Sequence, residues 1–238
     1  MLGGLALGFA VLDKTWPAMF APVFLFLVAG LRGKGLFLMA VAIVPLIFLE
    51  IYDLRVGTSL DLVRTRVFEY SGVPGRCGYT LHLGVYAPPN WLPASNQYSR
   101  DVYDTVLVAA LALVSIIVIP RRDALASCTA LIATFYALTP GCGSQYLVWI
   151  LPFALAGGQS ARVAVYSAAA IPALFVYYWG TCGLTCPGFL SDKMQYWPLQ
   201  WIWPVAVLWV VREIQLAITL VYAPFLGRLL PQVNDDRD

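Results

Sequence analysis

Long apolar stretches separated by short polar or basic segments dominate the pattern along this chain. A helix needs about 20 mostly apolar residues to cross roughly 30 Å of hydrocarbon. An interrupted apolar stretch over 2–30 is followed by six that approach this length: 35–52, 102–119, 124–140, 144–160, 163–181 and 196–212. The pattern predicts an all-α integral membrane protein, a multi-pass transmembrane helix bundle of about seven helical segments.

Composition agrees with that prediction. The chain has 238 residues, of which 60% are hydrophobic and 12% are charged, and its mean hydropathy is +0.75. Soluble domains carry about twice that share of charge. The net charge is only +2, and the basic residues are scattered and not clustered as in nucleic-acid-binding proteins. No nucleic acid partner is therefore expected. No polar linker divides the sequence, which indicates a single transmembrane domain over 1–238.

The first thirty residues do not form one simple span. An apolar run over 2–12 is followed by a polar interruption around Lys14, and a second apolar run covers 18–30. No basic residue precedes the first run, so the segment does not resemble a signal peptide. Two structures fit the pattern: one long helix kinked at Pro17 and Pro22, or two short helices that meet at Lys14.

Basic residues indicate the orientation in the membrane. They fall in alternate gaps between the predicted helices, at Arg32, Lys34, Arg121, Arg122, Arg162, Arg212 and Arg228. Short basic loops remain cytoplasmic, so these gaps and the C-terminus are predicted to lie inside, most simply at a bacterial plasma membrane. The outer side then receives the loop 52–101, the turn 141–143 and the segment 182–196.

The loop 52–101 is predicted to be ordered and partly interfacial, because it combines turn-forming Gly and Pro with many aromatic residues. Cys182 and Cys186 also lie on the predicted outer side, where a disulfide or two separate thiols are both possible. His82 is the single histidine of the chain, so no Cys/His metal site and no cofactor are expected.

Two groups of polar residues are candidates for chemistry. Lys14 is flanked by apolar sequence, and such an ionisable residue is by default a functional candidate: a cation for a lipid phosphate. The structural alternative is that Lys14 pairs with Asp13 or extends its ammonium group to the membrane interface. Ser144 can cap a helix whose first turn presents Gln145 and Tyr146 to sugar hydroxyls. An aromatic-belt tyrosine beside a capping residue is the structural alternative there.

Three segments that contain these residues carry a family resemblance. Residues 8–17 resemble the G-x-A-x-x-x-K-x-[YW]-P segment of GT-C membrane glycosyltransferases. Residues 144–152 resemble the S/P-Q-Y-L/F-x-W-x-x-P helix start of those enzymes. Residues 68–78 resemble their outer-loop pattern F-x-Y-x-S-x-x-G-x-W-G, with Cys77 in place of the tryptophan. The families most resembled are bacterial polyprenol-phosphate-sugar-dependent mannosyltransferases of family 87 and the catalytic subunit of GPI mannosyltransferase I.

The resemblance implies a hexosyltransferase that moves a sugar such as mannose from a polyprenyl-phosphate donor to a lipid or glycan acceptor on the outer face of the membrane. It implies that Lys14 contacts the leaving phosphate. It also implies that the remaining substrate-binding residues are Gln145, Tyr146, Arg76 and Tyr70. The acidic residue that such enzymes carry on their first outer loop would lie upstream of Met1. This chain is therefore expected to be the C-terminal part of a larger enzyme, and to lack transferase activity alone.

A multi-pass lipid or solute transporter is the rival prediction, since it also places charges and Pro-broken helices among its spans. The absence of a recognisable inverted repeat and the single long outer loop favour the enzyme. An inert structural remnant is a third possibility.

Overall fold

Helices make up nearly all of the described structure. The computed structural model describes residues 1–13, 16–57, 103–139, 148–181 and 202–229. The helices are α1 (Leu2–Asp13), a 3-10 helix (Trp16–Phe20), α2 (Ala21–Leu27), α3 (Leu31–Val56), α4 (Tyr103–Val118), α5 (Ala124–Leu138), α6 (Ile150–Ala156), α7 (Ser160–Thr181) and α8 (Ile202–Leu229). These ranges contain no strand, so the all-α class is confirmed for the part of the chain that they cover.

Two of these helices are long and apolar enough to cross a membrane: α3, and α8 over Trp203–Leu220. Only 17% and 22% of their most apolar windows is buried, so most of their apolar side chains lie on the protein surface. A helix that forms the core of a soluble protein would be mostly buried instead. The two helices therefore support membrane association, while the number of spans and the side of the C-terminus stay predictions.

The N-terminal residues form two short helices, the second of the two structures that the sequence allowed. α1 ends at Asp13, and a separate 3-10 helix begins at Trp16 and leads into α2. Pro22 lies in the first turn of α2, where its missing N–H has no helical partner to lose. The prolines therefore begin the second helix and do not kink a longer one.

α1 packs in parallel along α3 through two glycines spaced four residues apart. A Cβ atom added to Gly4 would lie 2.7 Å from the carbonyl oxygen of Phe37 and 2.9 Å from Cβ of Ala40. One added to Gly8 would lie 3.0 Å from Cβ of Val44. Small residues at this spacing allow helix backbones to approach closely. Because the two helices run in the same direction, the segment between them returns from the end of α1 to the start of α3.

α3 continues past the predicted start of the outer loop at Tyr52. It ends at Val56 and is capped by Gly57, whose φ of +65° is the left-handed conformation that glycine adopts without strain. The Gly57 N–H donates to the carbonyl oxygen of Asp53 at 2.8 Å. The predicted boundary is therefore wrong by about one helical turn, because the polar residues near the helix end were assigned to the loop. The rest of the loop, 58–101, lies outside the described residues.

α4 and α5 form an antiparallel pair joined by a short turn. Asp123 caps α5, since its Oδ1 accepts from the backbone N–H of Ala126 at 2.8 Å. α5 is the most buried helix described, and its Leu131 and Ile132 lie in the core with Val114 and Val118 of α4. It is therefore the central element of the C-terminal bundle.

α8 runs antiparallel to α5 and is longer than predicted. Near its start, Nε1 of Trp203 donates to the carbonyl oxygen of Ala137 at 2.7 Å. The sequence prediction ended this helix at Arg212, but it continues to Leu229, so Arg212 and Arg228 lie within α8 and not in a gap between helices. Two features favour continuation of the helix past Arg212: no glycine or proline occurs between it and Pro224, and the charge at Glu213 is neutralised by arginines.

Substituting Gly4 by Ala should separate α1 from α3, because the added methyl would collide with backbone atoms of Phe37 that cannot rotate away. We expect a loss of about 1–3 kcal/mol in the free energy of unfolding, the usual cost of overpacking. Thermal unfolding of the purified protein in detergent measures it. Gly3→Ala is the matched control, since a Cβ there meets nothing within 4 Å. Equal stability of the two variants would contradict the proposed close approach.

Candidate functional site

The five substrate-binding residues predicted from the sequence, Lys14, Tyr70, Arg76, Gln145 and Tyr146, all lie outside the described residues. The structure does describe the segments that flank three of them. Trp16 and Pro17 follow Lys14 within the same motif. Trp149 follows Gln145 and Tyr146 within theirs.

These two flanking segments meet in an aromatic stack. The rings of Trp16 and Trp149 lie with their centroids 3.9 Å apart and their planes 19° apart. The stack joins the start of the 3-10 helix to the residue before α6, across more than a hundred residues of sequence. Parts of two motifs that are remote in the sequence are therefore adjacent in space.

Further aromatic contacts hold this junction in place. The ring of Phe20 lies 5.5 Å from Trp16 in an edge-to-face arrangement, and 4.9 Å from Phe153 of α6. Phe20 and Val23 are almost completely buried. The 3-10 helix and α2 thus pack against α6 and α5 through aromatic and apolar side chains.

A large apolar cavity begins at the same junction. It has a volume of about 600 Å³ and lies among α1, α2 and α3. Trp16 and Pro17 line one end, and Met1, Val28 and Phe37 line the other. It extends alongside α1, whose 12 residues span about 18 Å. Its lining side chains carry no charge, so it offers an apolar surface.

A second site is polar, and it centres on the buried carboxylate of Glu213. Glu213 is fully buried, and its Oε2 accepts from Nε of Arg122 at 3.0 Å. Its Oε1 accepts from Nη1 of Arg162. Both arginine side chains remain partly exposed, at 23% and 31%. Each carboxylate oxygen therefore has its own cationic partner.

Gln159 extends this polar cluster. Its Oε1 accepts from Nη1 of Arg162 at 3.0 Å and from Nε1 of Trp209 at 2.8 Å. Its Nε2 is buried and has no hydrogen-bond partner among the described residues. The cluster joins the turn between α4 and α5, the start of α7 and the middle of α8. Within the ion pairs, two arginines face one glutamate, which leaves one excess positive charge.

Sequence reasoning missed this cluster. Glu213 was not a candidate, because the predicted helix stopped at Arg212 and the acid was placed beyond it. One available signal was an acidic residue with apolar sequence on both sides, which is costly in a membrane unless it is paired. The identity of its partners was not available, because they lie 51 and 91 residues away in the sequence.

No protein-family model matches this chain, and no curated protein or solved structure matches it either. Over the ranges that the structure describes, no group of three or more His, Cys, Asp or Glu side chains is arranged to hold a metal ion.

Replacing Glu213 by Gln should strongly destabilise the fold, because two arginines would keep their positive charges around a neutral amide. Removing one partner of a buried ion pair costs about 3–5 kcal/mol. Thermal unfolding in detergent measures the loss. Glu50→Gln on α3, where the side chain is exposed, should change the free energy of unfolding by less than about 0.5 kcal/mol.

The triple variant Arg122→Met, Arg162→Met, Glu213→Leu should recover most of that stability, since it leaves no unpaired charge. A mild effect of Glu213→Gln would show that the ion pairs are not central to the fold. A triple variant no more stable than Glu213→Gln would show that the loss does not come from the unpaired arginine charges.

Proposed function

We propose that this chain carries the donor-binding region of a multi-pass membrane glycosyltransferase of the GT-C type. The enzyme would transfer a hexose, such as mannose, from a polyprenyl-phosphate-linked donor to a lipid or glycan acceptor at the outer face of the membrane. The observation that supports this function most directly is the stack of Trp16 on Trp149, beside the end of a large apolar cavity. A motif that contains a cation and a motif with sugar-binding side chains are thereby neighbours.

The cavity supports a lipid-linked donor in particular. A polyprenyl chain is wholly apolar, and each buried CH₂ group contributes about 0.8 kcal/mol. A cavity of about 600 Å³ without charged lining residues suits such a chain. Lys14 lies in the sequence between Asp13, which ends α1, and Trp16, which lines the cavity. The donor's phosphate would then lie at the Trp16 end, with its prenyl chain directed towards Met1 and Val28.

The proposed chemistry assigns a role to each predicted residue. As the sugar leaves, negative charge develops on the polyprenyl phosphate, and the Lys14 ammonium stabilises it. Gln145 and Tyr146 bind sugar hydroxyls, and Arg76 and Tyr70 contribute from the outer loop. A carboxylate takes the proton from the acceptor hydroxyl. No residue of this chain is assigned to that last role.

A lipid or solute transporter is the second candidate, and the buried cluster at Glu213 favours it, because charges among helices often lie on a transport path. Glu213 is fully buried, however, and each of its oxygens is paired with an arginine, which argues against a transported ion at this carboxylate. This occupancy favours the transferase.

The orientation can be tested by cysteine accessibility in a background without native cysteines. Asp123→Cys should react only from the cytoplasmic side, and Asn90→Cys only from the outside, because the basic segment at Arg121 and Arg122 is predicted to remain inside. A membrane-impermeant maleimide applied to intact cells and to inverted vesicles distinguishes the two faces. Reaction of both cysteines from one side would overturn the predicted topology.

The role of Lys14 can be tested by donor binding, which does not require the proton-accepting carboxylate. Lys14→Met should weaken binding of a farnesyl-phosphate-linked mannose about ten- to a hundredfold, the loss of one hydrogen bond to a charged group. Binding of farnesol, which has no phosphate, should be unchanged. Titration of the purified chain in detergent measures both affinities.

Lys34→Met is the control, because Lys34 lies near the start of α3, towards the opposite end of the cavity. It should leave the affinity for the phosphorylated lipid unaltered. If Lys34→Met weakened binding of the phosphorylated lipid and Lys14→Met did not, the phosphate would lie at the Lys34 end of the cavity, opposite to the proposed end. Equal binding of farnesol and the phosphorylated lipid by the unmodified chain would contradict a phosphate site altogether.

A further inference from the structure

A smaller cavity lies between the start of α7 and the middle of α8, and the proposed transferase function does not use it. Its volume is about 320 Å³. Arg162 and Arg212 line one end, while Val165, Val205 and Leu208 line the rest. It therefore combines cationic groups and an apolar surface in a single depression.

The two helices that form the cavity run in opposite directions. Arg162 of α7 pairs with Glu213 of α8, while one turn further along α7 the ring of Tyr166 contacts Trp209 in an edge-to-face arrangement at 6.0 Å. Moving from Arg212 back to Val205 along α8 covers about 10 Å. Over that distance the lining changes from charged to apolar, which is the polarity gradient of a lipid from headgroup to acyl chain.

The charges at this end of the bundle are not balanced. Arg122 and Arg162 share the single carboxylate of Glu213. Arg212 is exposed, and its hydrogen bond is to the neutral side chain of Gln215, at 3.1 Å. Three arginines against one glutamate leave an excess of two positive charges beside the cavity. An anionic ligand would complement this excess.

The apolar walls of the cavity are open to the surroundings. Val165 is 61% exposed and Leu208 is 67% exposed, and Leu208 lies within the apolar stretch of α8 that is long enough to cross a membrane. Trp209 is buried behind them, where its indole N–H is bonded to Gln159. A lipid can therefore enter from the side without any rearrangement of the core.

We propose that this cavity binds an anionic phospholipid, with the headgroup phosphate at Arg212 and Arg162 and an acyl chain along Val165, Val205 and Leu208. Basic pockets between helices at a membrane interface bind anionic headgroups in this way. The site lies beside the Glu213 cluster and not beside the Trp16–Trp149 stack, so it is separate from the proposed donor site. A bound lipid would tie α7 to α8 through the charges that the cluster leaves uncompensated.

Native mass spectrometry of the purified chain in a neutral detergent tests this proposal. The protein is titrated with phosphatidylglycerol or phosphatidylcholine of the same acyl composition. We expect phosphatidylglycerol to be retained in preference. Arg212→Gln should weaken its binding about fivefold, the effect of one basic side chain near an anionic headgroup. Arg32→Gln removes a charge from the exposed start of α3 and should have no effect.

Val165→Trp provides a test that leaves the charge unchanged. Because Val165 is largely exposed, the indole can fill the cavity without disturbing the core, and it should abolish selective retention. Its thermal unfolding should match that of the unmodified chain, which separates loss of the lipid from loss of the fold.

Several results would overturn the proposal. Equal retention of the two lipids would exclude headgroup recognition. Equal losses in Arg212→Gln and Arg32→Gln would indicate attraction to the whole surface rather than to this cavity. Undiminished retention by Val165→Trp would place the lipid elsewhere. Displacement of phosphatidylglycerol by millimolar inorganic phosphate would show that the arginines bind a free anion, with no contribution from the acyl chain.

Discussion

The arrangement of the C-terminal helices depends on the neutralisation of one buried carboxylate. An isolated charge in a medium of low dielectric constant costs several kcal/mol, so Glu213 is tolerated only where cations reach both of its oxygens. Those cations come from the turn after α4 and from the start of α7. The same requirement therefore fixes the positions of these segments relative to α8. It also allows α8 to continue without a break past a polar interruption in its sequence.

The N-terminal part is organised by the opposite kind of interaction. There the helices meet through small residues and aromatic rings: Gly4 and Gly8 against α3, and Trp16 and Phe20 against α6. Such packing is short-ranged, and it leaves space unfilled beside the junction. The large apolar cavity beside Trp16 is this space. A polar cluster that holds helices together and a large apolar cavity thus lie in different parts of the chain.

The distribution of exposed residues agrees with both proposals. The outer faces of α3 and α8 carry large apolar side chains such as Met39, Leu46 and Leu208, whereas a fully buried position holds Glu213. In water this distribution would be costly, but in lipid it is favourable, because lipid tails solvate apolar side chains and the polar groups satisfy one another inside the protein.

Local sequence determined the helical class of the described residues and the bounds of α4 and α5. The predicted spans 102–119 and 124–140 agree closely with α4 and α5, because a long apolar run and a capping aspartate act on adjacent residues. For the candidate site, the motifs determined which residues to propose, but those residues lie outside the described part of the chain. Tertiary structure decided that the chain turns back between α1 and α3, that α8 continues beyond Arg212, and that Glu213 pairs with two arginines. It also decided that Trp16 stacks on Trp149. Each of these outcomes depends on a partner tens to more than a hundred residues away, and hydrophobic periodicity contains no information about which distant side chain will neutralise a charge or stack on a ring.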